Sequence, residues 1–125
     1  WLMMHQPTPD DFVLATGEQH SVREFVEATA AAMDMQIAWE GEGVNEVGID
    51  RATNKRVIAI DRRYFRPTEV EALLGDASKA REVLGWTAKT SFVDLVEEMA
   101  ARDRKLTERD AIAARNGFEV YSYNE

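Results

Sequence analysis

Residues 63–86 read RYFRPTEVEALLGDASKAREVLGW, and the character of the whole chain can be built outward from this run. Its first part cannot be helix interior, because Pro67 fixes its own backbone and pushes Arg66 toward an extended conformation. Its second part is helical in pattern. Val70, Leu73 and Leu74 fit one buried helical turn, and Asp76 is placed as an N-cap for a helix through Ala80, Val83 and Leu84. Gly85 then suits a left-handed helix end, after which Trp86 folds back onto the helix. Leu73, Leu74, Val83 and Trp86 accordingly read as core.

The same alternation continues on both sides. Upstream, residues 51–66 read RATNKRVIAIDRRYFR, with Val57–Ile60 as a strand. Gln36–Trp39 alternates polar and apolar as a half-buried strand does, and Gly41–Gly48 is acidic and glycine-bearing, a loop pattern. Ser21 stands three residues before Glu24, the spacing of a capping box. Val22, Phe25, Val26, Thr29, Ala30 and Met33 follow at helical spacing. Phe12–Ala15, after the turn Pro9-Asp10-Asp11, reads as another strand. Downstream, Ser91 and Asp94 open a helix whose apolar stripe is Phe92, Leu95, Val96 and Met99. From Ala100 the pattern weakens, so residues from about 105 to 125 read as a tail, loose at Tyr121–Glu125. The expectation is one small mixed α/β domain over 1–125.

Composition bounds the function. The chain has 125 residues and a net charge of -8, with 45% hydrophobic content, enough for one core. It has no cysteine, which removes disulfides and thiolate metal sites and suits a reducing cytoplasm. No apolar run approaches the roughly 20 residues needed to span a bilayer. The acidic balance argues against nucleic acid and anionic membranes as partners. WLMMHQ at the start lacks a signal peptide's basic flank and reads as the end of a hydrophobic helix, as if the chain were a piece of a longer protein.

Against that acidic background, residues 51–66 hold six of the 15 basic residues (Arg51, Lys55, Arg56, Arg62, Arg63, Arg66) and a single acid, Asp61. Guanidinium groups clamp phosphate oxygens through paired, charge-assisted hydrogen bonds. The competing reading is a solvated strand edge whose arginines pair with neighbouring carboxylates. Catalytic chemistry is thin by comparison. His5 and His20 lack metal-ligand spacing, and His20 reads as a solvated or capping residue. Glu97 and Glu98 read as a solvated helix face. There is no G-x-G-x-x-G run, and Tyr64 has Thr68 rather than Lys four positions on. No catalytic residue and no metal site are expected.

What stands out is Arg66-Pro67-Thr68-Glu69. The arginine offers donors to a diphosphate, and an acid three residues later can accept from sugar hydroxyls. A nucleotide-sugar presents both groups close together. The run 63–86 resembles the C-terminal part of the GDP-mannose 4,6-dehydratases, a branch of the extended short-chain dehydrogenase/reductases. Residues 12–25, FVLATGEQHSVREF, and the opening WLMMHQ resemble it too, so the likeness covers most of residues 1 to about 104. Related epimerases and dehydratases share the Arg-x-x-acid pattern and a segment like Asp76-x-x-Lys79 with Leu84-Gly85-Trp86.

The resemblance implies a substrate-binding C-terminal domain without the N-terminal Rossmann domain that carries NADP and the catalytic groups. The parent reaction it implies converts GDP-mannose to GDP-4-dehydro-6-deoxy-mannose, a precursor of fucose and other deoxysugars, as an NADP-dependent lyase of the cytoplasm. Arg66 resembles the diphosphate-binding arginine and Glu69 the ribose-hydroxyl acceptor, with Arg63 and Tyr64 beside them. Implied partners are GDP-mannose or GDP, the Rossmann half, and further copies in a homo-oligomer. Two alternatives stay open: the corresponding part of a UDP- or dTDP-sugar epimerase or dehydratase, and a non-enzymatic anion- or protein-binding module.

Overall fold

The computed structural model of the chain describes residues 1–66 and 73–120. Its ordered elements run α1 (Val22–Ala32), β1 (Ile37–Glu40), β2 (Val47–Asp50), β3 (Lys55–Ala59), α2 (Ser78–Leu84) and α3 (Phe92–Arg115), with 3-10 turns at Met3–His5 and Gly43–Asn45. The three strands form an antiparallel sheet in chain order, and α1 packs against α3. This is the mixed α/β architecture that the sequence predicts.

Both capping boxes form. Ser21 Oγ accepts from the Glu24 N–H while a Glu24 carboxylate oxygen accepts from the Ser21 N–H, and Ser91 and Asp94 repeat the arrangement on α3. Each box satisfies donors that the first helical turn leaves without intrahelical partners. Gly85 ends α2 at φ 64°, and the Trp86 N–H reaches back to the Ala80 carbonyl at 3.2 Å. Asp76 sits one position before the N-cap, Ala77, and its carboxylate still accepts from the Ser78 N–H at 2.9 Å.

Among the described residues the buried hydrophobic ones are small or few: Ala30 on α1, Ala80 and Leu84 on α2, Val96 and Ala100 on α3. The sheet is tied to α1 by polar contacts. Trp39 Nε1–H donates to Glu27 at 2.8 Å, and the Arg23 guanidinium lies 4.3 Å from the Trp39 ring centroid while pairing with Glu46. Between Ile37 and Ile58 the sheet needs Gly48, since a Cβ there would meet Ile58 Cδ1 at 2.8 Å and Ile37 Cγ2 at 3.0 Å. The β2–β3 turn is held by buried Asp50, which accepts from Thr53 Oγ1–H at 2.6 Å and the Ala52 N–H at 3.1 Å.

Several expectations are corrected. Phe12–Ala15 is no strand; among the described residues no neighbouring strand offers it a ladder. It lies against other elements instead: Lys79 pairs with Asp10 at 2.6 Å and sits over Phe12, and a Cβ on Gly75 would come 2.6 Å from Ala15 Cβ. The stretch read as a loop to Gly48 contains the start of β2. Leu73 and Leu74 are not helical and are 79% and 61% exposed, and Val83 is 53% exposed. These three are therefore not core. The buried stripe of α2 is only as wide as Ala80 and Leu84. Trp86 is half-buried. Val70 lies outside the described residues. Finally, α3 runs on through position 105 to Arg115, because its second half, though charged, stays free of helix breakers.

Candidate functional site

The antiparallel hairpin splits the basic segment. Arg51 lies in the turn at one end of β3, whereas Arg62, Arg63 and Arg66 follow β3 at its other end. A five-residue strand separates its ends by roughly 15 Å, so these side chains make two groups rather than one clamp. Lys55 and Arg56 lie between them on β3.

The group after β3 has a definite geometry. The Asp61 carbonyl accepts the Tyr64 N–H at 3.1 Å, closing a turn over Arg62 and Arg63. The Asp61 carboxylate accepts the Arg63 N–H at 2.9 Å, Arg63 Nε–H at 3.0 Å and Arg63 Nη2–H at 2.7 Å. These side-chain and backbone donors from Arg63 hold the Asp61 carboxyl below the usual carboxylate range, and the Asp61 carboxylate pushes the Arg63 guanidinium further up. Arg62 Nη2–H donates to Asn45 Oδ1 at 3.1 Å, linking this turn to the 3-10 turn before β2. The next residue, Glu46, is the one paired with Arg23 of α1.

Of the four residues singled out in the sequence, Arg63 and Tyr64 are neighbours here, with the Arg63 guanidinium 5.4 Å from the Tyr64 ring centroid. Tyr64 is 72% exposed. Arg63 is engaged by Asp61, as the ion-pair reading of the basic segment requires. Arg66 is exposed at the end of this loop. Glu69 falls in 67–72, outside the described residues, so its geometry relative to Arg66 is not on view. The sequence reading missed Asp61 and Asn45 as partners of the arginines. The available signal was that Asp61 is the single acid among six bases.

A separate cleft of about 330 Å³ opens between the segment at Thr16 and Gly17, the residues Leu74 and Asp76, and Arg81 with Trp86. Its polar groups are largely engaged: the Asp76 carboxylate accepts from the Ser78 N–H, and Arg81 donates to Ser78 Oγ at 3.0 Å. Among the described residues no cluster of three or more His, Cys, Asp or Glu could hold a metal ion, and no helix is long and apolar enough to cross a membrane.

Residues 1–99 match the family described as GDP-mannose 4,6 dehydratase. The chain is 57% identical over 103 residues to the GDP-mannose 4,6-dehydratase of Sinorhizobium fredii, covering 82% of this chain and 29% of that protein. It is 50% identical over 113 residues to the GDP-mannose 4,6 dehydratase of Drosophila melanogaster, covering 90% of this chain and 29% of that protein. The human protein of that name is 47% identical over 106 residues, or 85% of this chain and 28% of its own length. The chain thus spans about 28–35% of the length of the curated relatives it matches. Because the family match extends over 99 of the 125 residues, this chain belongs to the GDP-mannose 4,6-dehydratase family.

Proposed function

We propose that these residues form the nucleotide-sugar-binding part of a GDP-mannose 4,6-dehydratase, an NADP-dependent lyase that removes water from GDP-mannose to give GDP-4-dehydro-6-deoxy-mannose. The observation that carries this reading is the exposed Arg66, in a loop within the span of the family match. Its guanidinium supplies paired donors to the diphosphate, and Glu69 accepts from the ribose hydroxyls. Tyr64 lies near enough along the chain to line the same pocket. Arg63, held by Asp61, is a poorer ligand than the sequence suggests.

NADP does not fit these residues. The chain has neither a G-x-G-x-x-G phosphate loop nor a Tyr-x-x-x-Lys pair, so the cofactor and the catalytic groups belong to other parts of the enzyme. What this chain contributes is recognition and orientation of the substrate's nucleotide end. A cytoplasmic location and assembly into a homo-oligomer belong to the same proposal, the first supported by the absence of cysteine.

Calorimetric titration of GDP into the full-length enzyme and its Arg66→Ala variant tests the assignment. Loss of a charge-assisted double contact costs about 1.5–3 kcal/mol. That is roughly a tenfold to hundredfold weakening. Arg66→Lys recovers only part of it, because an ammonium lacks the planar fork. Equal dissociation constants with a lowered melting temperature would mean that Arg66 serves the fold instead.

A further inference from the structure

We propose that Asp61 is a positioning residue for Arg66: its fork on Arg63 fixes the turn from which Arg66 is presented to a nucleoside diphosphate. The inference rests on the substrate-binding reading of Arg66 given above.

The argument starts from how little freedom the loop keeps. The turn after β3 is closed by Asp61 at two levels, through its carbonyl to the Tyr64 N–H and through its carboxylate to three Arg63 donors. Arg62, between them, is tethered to Asn45, and Asn45 adjoins the Glu46–Arg23 pair that joins the sheet to α1. The turn is therefore braced from inside and from outside. Only Phe65 separates it from Arg66, and the following proline confines Arg66 to extended backbone. With both ends constrained, the direction of the Arg66 Cα–Cβ bond is set by the orientation of the Asp61–Arg63 turn. Holding a cationic side chain in its binding direction before the ligand arrives reduces the ordering cost of association.

Charge supports the same division of labour. An arginine whose Nε and Nη2 both face one carboxylate has its fork occupied, so Arg63 contributes geometry rather than a contact to the diphosphate. A merely electrostatic role for Asp61 makes the opposite forecast. If Asp61 acted only as a nearby negative charge, removing it would release Arg63 and tighten binding of a diphosphate.

The experiment is a double-mutant cycle in the full-length enzyme, read as GDP dissociation constants by calorimetry. Asp61→Asn and Arg63→Ala are each expected to weaken GDP roughly threefold to tenfold in the Arg66 background, and to have no further effect in the Arg66→Ala background. Asn45→Ala is expected to act in the same direction, and serves with Arg63→Ala if Asp61→Asn does not fold. Undiminished losses in the Arg66→Ala background, no loss at all, or tighter binding on removing Asp61 would each overturn the proposal. If Arg66→Ala itself binds GDP like the wild type, the substrate-site reading fails first, a result distinct from a failure of the positioning role alone.

Discussion

The His20 imidazole lies nearly parallel to the Phe92 ring, with centroids 3.8 Å apart and planes 13° apart. His20 immediately precedes the N-cap of α1 and Phe92 is the first residue of α3, so one ring stack joins two helix starts. Phe25 meets the edge of Phe92 at 6.4 Å, and the Glu18 and Glu24 carboxylates stand 3.7 and 4.0 Å from the imidazole nitrogens. The α1–α3 contact buries mainly small residues, Ala30 and Ala100 with Val96, so an aromatic pair at its end matters more than it would beside a large core. A double-mutant cycle of His20→Ala and Phe92→Leu, measured by denaturant unfolding, is expected to give a coupling of about 0.5–1.5 kcal/mol. A coupling below about 0.3 kcal/mol would make the stack incidental.

Acid should loosen α1 through its capping box. The Glu24 carboxyl is held below its ordinary value by the Ser21 N–H first, then by the Ser21 hydroxyl, with His20 adding a smaller attraction. Because the folded value is depressed, its contribution is present above the ordinary carboxylate range and is lost as pH falls through the lowered value. Stability should therefore decline below about pH 4 partly through this group. Glu24→Gln keeps an acceptor in the box and should flatten that part of the profile. Ser21→Ala should cost about 1 kcal/mol at neutral pH, since it removes the cap itself, and should also flatten part of the acid limb because the Ser21 hydroxyl no longer holds the Glu24 carboxyl down. Thermal unfolding from pH 7 to pH 3 checks all three curves. An unchanged acid limb in Glu24→Gln would assign the loss to the other depressed carboxyls, Asp10, Asp50, Asp61 and Asp76.

The sequence disclosed what local chemistry determines. Ser21 with Glu24, Ser91 with Asp94, and Gly85 each mark a helix end by a hydrogen-bonding or backbone requirement confined to a few neighbours, and the three α-helices among the described residues are legible that way. It failed where pairing decides. β2 hides because Gly48 breaks the apolar alternation, and Gly48 is explained only by the approach of Ile37 and Ile58 from its two neighbouring strands. Phe12–Ala15 has a strand's composition but, among the described residues, no strand beside it. At the candidate site, Pro67 and the resemblance carried by the surrounding run single out Arg66, and its role as a ligand is a proposal. The engagement of Arg63 by Asp61 was not legible, because ion pairing two residues apart depends on the turn they make. His20 with Phe92 could not be read at all, since 72 positions separate them.

The isolated chain is expected to associate. Much of its described apolar surface is uncovered. Trp1 and Met4 are 83% and 86% exposed, Leu73 and Leu74 lie on the surface, and so do Val13 and Leu14 of the extended segment. Five buried hydrophobic residues among those described make a core too slight to hold so much apolar surface apart from other chains. Large uncovered apolar patches associate. Within a protein of the relatives' length, the same surfaces would pack against further polypeptide. Sedimentation velocity of the isolated chain should therefore show mass rising with concentration, and a hydrophobic dye should brighten on binding it. Both signals should fall in a protein of the relatives' length that contains these residues. A concentration-independent monomer that leaves the dye dark would show instead that these 125 residues are self-sufficient, and that the exposed leucines and tryptophan are tolerated as ordinary surface.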